Sequence, residues 1–248
     1  MKNNNFLITG ASSDIGQSLT KQLVNNENNR VLAVSKSHLS TLEGANSNYK
    51  YLSNIDLTKI DKLVNLSKEI ELFFSHTFTT IHCVGSFWYH KPLVNTELDE
   101  AKEMVDSHYL TLYALFKVIL PILKIRGGGK IIAFSCTSVG YSYPEMTAFT
   151  SVKAAIETLV KCVANENSKF GIVANCIALS TIKTQKVETS KDIKYHNGYV
   201  SIEELLEVID DLIAASPLIN GNTIKILKYS DSFYNEGYFQ RNPSRFNE

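Results

Sequence analysis

Cysteine is sparse in this 248-residue chain, and the four present, Cys83, Cys136, Cys162 and Cys176, lie far apart in apolar segments. No C-x-x-C pair suggests a zinc site or a redox dithiol, so they read as reduced core thiols. An excess of charge is also lacking. Lys plus Arg and Asp plus Glu both number 25, for a formal net charge of zero. That balance excludes the electrostatic footprint of a nucleic-acid or anionic-membrane binder. No run of about eighteen apolar residues occurs, so no membrane-spanning helix is expected. The opening Met1-Lys2-Asn3-Asn4-Asn5 lacks an apolar secretory core, and the expectation is a cytoplasmic protein. What is there is ordinary globular material: 44% hydrophobic, 20% charged and 10% aromatic residues, with mean hydropathy −0.08. The length suits one large α/β domain.

Short apolar runs alternate with helical patterns from end to end. Residues 6–9, 31–34, 49–53, 80–84, 130–135, 172–178 and 223–227 read as strands. Ile15, Leu19, Leu23 and Val24 recur at helical spacing over 15–27. Further helices open at Thr58 with Asp61 in capping-box position, at Thr96 with Asp99 (reaching about 125), over 147–167, and at Ser201 with Glu204 (reaching about 214). This rhythm predicts an α/β fold: a single Rossmann-type, doubly wound parallel sheet of about seven strands with helices on both faces. Residues 1–228 form that dinucleotide-binding domain. Residues 184–200 are polar and irregular. Residues 229–248 are an aromatic-rich tail, expected to pack on the body or on a neighbouring subunit.

The first strand runs into Thr9-Gly10-Ala11-Ser12-Ser13-Asp14-Ile15-Gly16 and then a helix. A strand, a tight turn of small residues and a helix N-terminus make an anion site, because free backbone N–H groups and the helix dipole face the ligand. Gly10 permits the turn, Gly16 the close packing of helix on strand, and Asp14 is placed to cap the helix. The string resembles the T-G-x-x-x-G-x-G turn of the short-chain dehydrogenase/reductase family, with Asp14 at the middle glycine.

The resemblance runs from Phe6 to about Leu227. Asp56-Leu57 matches the acidic residue that in the family meets the adenine. His82-Cys83-Val84-Gly85 stands for N-N-A-G and keeps only Gly85. Leu120-Pro121, Gly129-Lys130-Ile131-Ile132, Asn175-Cys176-Ile177-Ala178 and Asn220-Gly221-Asn222 match in order and spacing. Ile182 and Thr184 keep the pattern that meets the nicotinamide amide. Ser35-Lys36 occupies the place where NADP-dependent members often have Ser-Arg. A cation there suits a 2′-phosphate, so NADP(H) is favoured over NAD(H).

The resemblance also implies four catalytic positions, and only Lys153 is kept. Four residues earlier stands Phe149 instead of the proton-donating Tyr. Cys136 takes the place of the Ser, with Ser135 and Ser138 beside it, and His108 that of the relay Asn. Loss of a general acid costs about 10²–10⁴ in rate. Tyr141, Tyr143, Tyr195 and Tyr199 are the replacement donors available in nearby segments. The expectation is an oxidoreductase-like protein that binds a nicotinamide dinucleotide and shows little standard carbonyl or alcohol hydride transfer on a small-molecule substrate. The alternative is a catalytically inactive nucleotide-binding regulator or structural subunit. The family's pairing of two long helices implies a homodimer or homotetramer, with interface candidates among Leu112, Leu115, Phe116, Ile156 and Leu159, some of which must face the sheet instead.

Overall fold

The computed structural model describes residues 4–40, 47–86, 91–190 and 198–228. The strands are β1 (Asn4–Thr9), β2 (Asn29–Val34), β3 (Tyr49–Leu52), β4 (Thr79–His82), β5 (Gly129–Cys136), β6 (Ile172–Leu179) and β7 (Thr223–Ile226). They form one parallel sheet in the order β3-β2-β1-β4-β5-β6-β7. The helices are α1 (Asp14–Val24), α2 (Ile60–Phe73), α3 (Leu98–Met104), α4 (Thr111–Ile125), α5 (Ser138–Tyr141), α6 (Thr147–Asn167), α7 (Gln185–Ser190) and α8 (Ile202–Ala214). A π-helical turn, Val105–Leu110, joins α3 to α4.

Strand side chains alternate between two cores, as the pleat dictates. Leu7, Leu32, Ile131 and Ala174 pack with Leu66 and Ile70 of α2, Leu115 and Ile119 of α4, and Ile156 of α6. Phe6, Ile8, Val31, Ile132 and Ile177 face the other way, onto Leu19 and Leu23 of α1 and Leu205 and Ile209 of α8. Strands buried on both faces must be apolar throughout, which is why they appear as short unbroken runs in the sequence. The chain order reverses between β1 and β4. Connections leave those two strands in opposite directions, and a crevice opens at their C-terminal ends.

Several expectations are corrected. Helix α2 starts at Ile60 without a side-chain cap, because the Thr58 hydroxyl is committed to Asp56 at 2.7 Å. The cap of α3 lies one residue later than expected. The Glu100 carboxylate accepts the Glu97 amide at 2.8 Å, while the Thr96 hydroxyl donates to the Pro92 carbonyl. Segment 184–200 contains α7. The stretch Leu98–Ile125 is a continuous helical run long and apolar enough to cross a membrane by length and composition, but Leu112, Leu115, Phe116 and Ile119 are spent on the core beside the sheet and Met104 on Met146 and Val152. Of the four cysteines, Cys176 is buried, Cys83 and Cys136 are half-buried and Cys162 is exposed, so Cys162 is no core thiol. The 229–248 tail and Tyr195 lie outside the described residues.

The proposed interface residues are corrected as well. Leu112, Leu115, Phe116 and Ile156 are buried within the monomer, and Leu159 packs against the same cluster. Leu112, Leu115, Phe116 and Ile156 are thus spent on the protein's own core, while Leu159 is only half-buried. Leu115→Ala should destabilise folding by about 2–5 kcal/mol through loss of transfer energy and the cavity left behind. Ile125→Ala, at an 87% exposed position, should change it by less than about 0.5 kcal/mol. Urea denaturation of both variants checks the assignment, and similar midpoints would contradict it.

Candidate functional site

Where β1 ends, the chain turns through Gly10 into α1. Gly10 has φ +74°, and a Cβ there would come 2.5 Å from the Cys83 carbonyl oxygen. Only glycine permits both the conformation and the approach. Ser13, rather than Asp14, caps the helix. Its hydroxyl donates to the Gly10 carbonyl at 2.8 Å and accepts the Gly16 amide at 3.1 Å. Asp14 and Ile15 are the first two helical residues, and their amides have no carbonyl one turn back within the helix.

A cleft of about 790 Å³ opens in front of this turn. Its lining brings together Gly10, Ser12, Ser13, Ser35, Lys36, Asp56, Leu57 and Gly85, all read from the sequence. Thr9, Asp106, Ser107 and Thr111 join them, and sequence reasoning missed these four. The volume lies in the range of cofactor sites. Asp14, Ile15, Gly16, His108, Cys136, Phe149, Lys153, Ile182 and Thr184 are not among the described lining residues. Ile182 is buried and bridges to Val200, and the Thr184 hydroxyl accepts the Val187 amide at the start of α7.

The positions equated with catalysis lie outside that lining, in the Val105–Leu110 turn, at the end of β5 and on α6. Lys153 and Phe149 lie one turn apart on α6. The buried Lys153 Nζ donates to the Phe134 carbonyl at 3.1 Å and lies 5.3 Å from the centre of the Phe149 ring. Burial draws its pKa down to about 8, against the opposing pull of Cys136 and Cys176. The His108 ring meets Phe149 edge-on, with centroids 5.5 Å apart. Its Nε2 lies 3.0 Å from the Ser86 carbonyl, so Nε2–H donates and Nδ1 is left as a buried acceptor without a partner among the described residues. Gly85 exists for this imidazole, since a Cβ there would come 2.3 Å from His108 Cε1.

Of the two serines flanking Cys136, Ser135 spends its hydroxyl proton on Glu157 at 2.6 Å, while the fully buried Ser138 accepts the Thr150 hydroxyl at 3.0 Å. Tyr141 stacks on Tyr143 with centroids 5.8 Å apart, and Lys225 lies over Tyr141. Tyr143 packs near Met104, Met146 and Phe149. Tyr199 is buried, not at a rim. No group of three His, Cys, Asp or Glu side chains placed to hold a metal occurs among the described residues.

His82, at the end of β4, is a second buried imidazole, to which no role was assigned from sequence. Thr111 gives its proton to the Ser107 carbonyl at 2.9 Å, so its oxygen accepts from His82 Nε2 at 3.4 Å. His82 Nδ1 then accepts the Thr9 hydroxyl at 2.8 Å. Burial, aided by the charge of Lys153, pushes both His82 and His108 down to about 3. An unfolded histidine titrates near 6.5. Between those values the unfolded state binds more protons, so stability is complete above about pH 6.5 and is lost as pH falls toward 3. The loss approaches about 1.4 kcal/mol per pH unit for each histidine. His82→Asn, which keeps a polar side chain without a titrating ring, should flatten the fall in melting temperature between pH 7 and 5. An unchanged slope would show that His82 is not held neutral.

Residues 4–194 match the family model for short chain dehydrogenases. An oxidoreductase of Listeria monocytogenes, Lmo0432, is 26% identical over 225 residues, 87% of this chain and 89% of its own length. Other curated relatives match over about half their length, 54% in the case of YtkK of Bacillus subtilis. A Tyr-to-Phe variant of ElxO with NADPH bound superposes with TM-score 0.79 at 20% identity, covering 91% of this chain and 97% of its own. A 4-hydroxyisoleucine dehydrogenase complexed with NADH gives TM-score 0.80 at 21% identity, over 91% and 98%. Together with the doubly wound sheet and its glycine turn, the match over most of the chain places this protein in the short-chain dehydrogenase family of oxidoreductases.

Proposed function

We propose that the chain binds a nicotinamide dinucleotide, with NADP(H) preferred over NAD(H), and that its hydride transfer on a small-molecule carbonyl or alcohol is weak. The solved relatives with NADPH and NADH bound support the cofactor class. Gly10, Ser12 and Ser13 would hold the phosphates, Asp56 and Leu57 the adenine, and Lys36 a 2′-phosphate. Ile182, Thr184 and Lys153 would hold the nicotinamide end. The chemistry a nicotinamide supplies is hydride transfer; the protein must hold the substrate oxygen and move its proton.

The observation that carries this reading is that the ring beside both Lys153 and His108 is Phe149. A phenyl ring keeps the shape of a phenol and has no proton to give. Cys136 offers a weak donor where a hydroxyl would grip the oxygen. Lys153 gives its hydrogen bond to the Phe134 carbonyl, which favours the second reading, a regulator that binds nucleotide without turnover. Assembly as a homodimer or homotetramer in the cytoplasm completes the proposal. The exposed residues Leu110 and Tyr113 of the α4 region replace the buried leucines as contacts.

Phe149→Tyr combined with Cys136→Ser restores a proton donor beside Lys153 and a hydroxyl at the end of β5. NADPH absorbance decay on a panel of ketones and diones should rise about 10²-fold or more over the unmodified protein, and Lys153→Ala in the double variant should abolish the gain. Rapid turnover by the unmodified protein, retained in Tyr141→Phe, Tyr143→Phe and His108→Ala, would refute the proposal.

A further inference from the structure

The adenine end of the cleft contains an ion pair whose two members face the same ligand. Lys36 follows β2, and its Nζ lies 3.0 Å from Asp56 Oδ2. The other carboxylate oxygen, Oδ1, accepts the Thr58 amide at 3.0 Å and the Thr58 hydroxyl at 2.7 Å. Both oxygens are therefore engaged. Burial opposes the Asp56 charge, but Thr58 and Lys36 outweigh it and hold the pKa down at about 2.

The backbone carrying the pair is fixed on both sides. The Ser35 amide donates to the Leu52 carbonyl, and the Ile55 amide donates to the Ser35 carbonyl, each at 3.0 Å. The Tyr51 hydroxyl lies 2.7 Å from Ser35 Oγ and 2.9 Å from the Ser37 carbonyl, and the Ser35 hydroxyl also bonds that carbonyl. What remains adjustable is the Lys36 side chain, 76% exposed and able to rotate about its four-carbon stem.

A ribose 2′-phosphate bound beside β2 would need that ammonium. A lysine is a point charge, and an anion already 3 Å away partly satisfies it. We propose that Asp56 is an internal counter-anion that competes with the 2′-phosphate of NADPH for Lys36, so that this carboxylate sets how strongly the chain distinguishes NADPH from NADH. The inference rests on the dinucleotide-binding reading. It makes Asp56 a specificity residue acting against the preference that Lys36 creates. The pair is solvent-facing, so the competition is modest and screened by salt.

The test is a titration of NADPH and NADH against the unmodified protein, Asp56→Asn, Lys36→Met and the double variant, by calorimetry at fixed low salt. The readout is the ratio of the two dissociation constants, in which any loss of adenine contacts cancels. Asparagine can still accept from Thr58, so the local turn is kept. In Asp56→Asn the ratio should shift about three- to tenfold toward NADPH, consistent with the release of Lys36 from an exposed ion pair. In a Lys36→Met background the same substitution should leave the ratio within about twofold. An equal effect on both nucleotides, or a shift that persists without Lys36, would overturn the inference while leaving dinucleotide binding intact. Failure of the unmodified protein to bind either nucleotide would overturn both.

Discussion

The contact between Gly10 and the backbone at Cys83 is where the two halves of the sheet are joined. The Cys83 amide donates to the Thr9 carbonyl at 2.8 Å, and the Ser13 hydroxyl reaches the Cys83 carbonyl at 3.3 Å. A side chain at position 10 would push these strands apart, because its Cβ would overlap the Cys83 carbonyl. The phosphate-side turn, the crevice and the placing of Gly85 against His108 all follow from that approach. The fold can bind a nucleotide because connections leave β1 and β4 in opposite directions, and one close backbone contact keeps the resulting crevice narrow.

Beyond the crevice, the end of the sheet holds three basic groups without a buried carboxylate to balance them at the same point. His82 and His108 are neutral, and Lys153 titrates near 8. Each is satisfied locally by a hydroxyl or carbonyl: Thr9 and Thr111 for His82, Ser86 for His108, and Phe134 for Lys153. A phenol beside Lys153 would share this charge and be tuned by it. A phenyl ring offers the cation only its face. Lys153 thus meets an aromatic face at Phe149 and a carbonyl at Phe134.

Much of the fold was legible in the residues. Helix α6 at 147–167 and the Ser201–Glu204 box of α8 are where the spacing placed them, since long periodic segments and reciprocal caps are local signals. The α2 cap was misplaced because the Thr58 hydroxyl had a better partner in Asp56, two residues back. Asp14 was passed over as a cap because Ser13 has the extended backbone a cap needs. Which of the candidate interface residues face the sheet could not be told in advance, because helical periodicity shows that a face is apolar without showing what covers it.

The sequence by itself determined the alternating architecture, the glycine turn, and the absence of a phenol at position 149. These depend on residue identity and short-range spacing. Only the tertiary structure decided that Lys36 is already paired with Asp56, that His82 is a buried neutral base, that Ser135 gives its hydroxyl to Glu157, and that Ser138 accepts the Thr150 hydroxyl. Those facts depend on groups that lie 20, 73, 22 and 12 residues from their partners. Parallel strands joined by helical crossovers bring distant residues side by side, and burial then fixes their protonation. No local pattern carries that information.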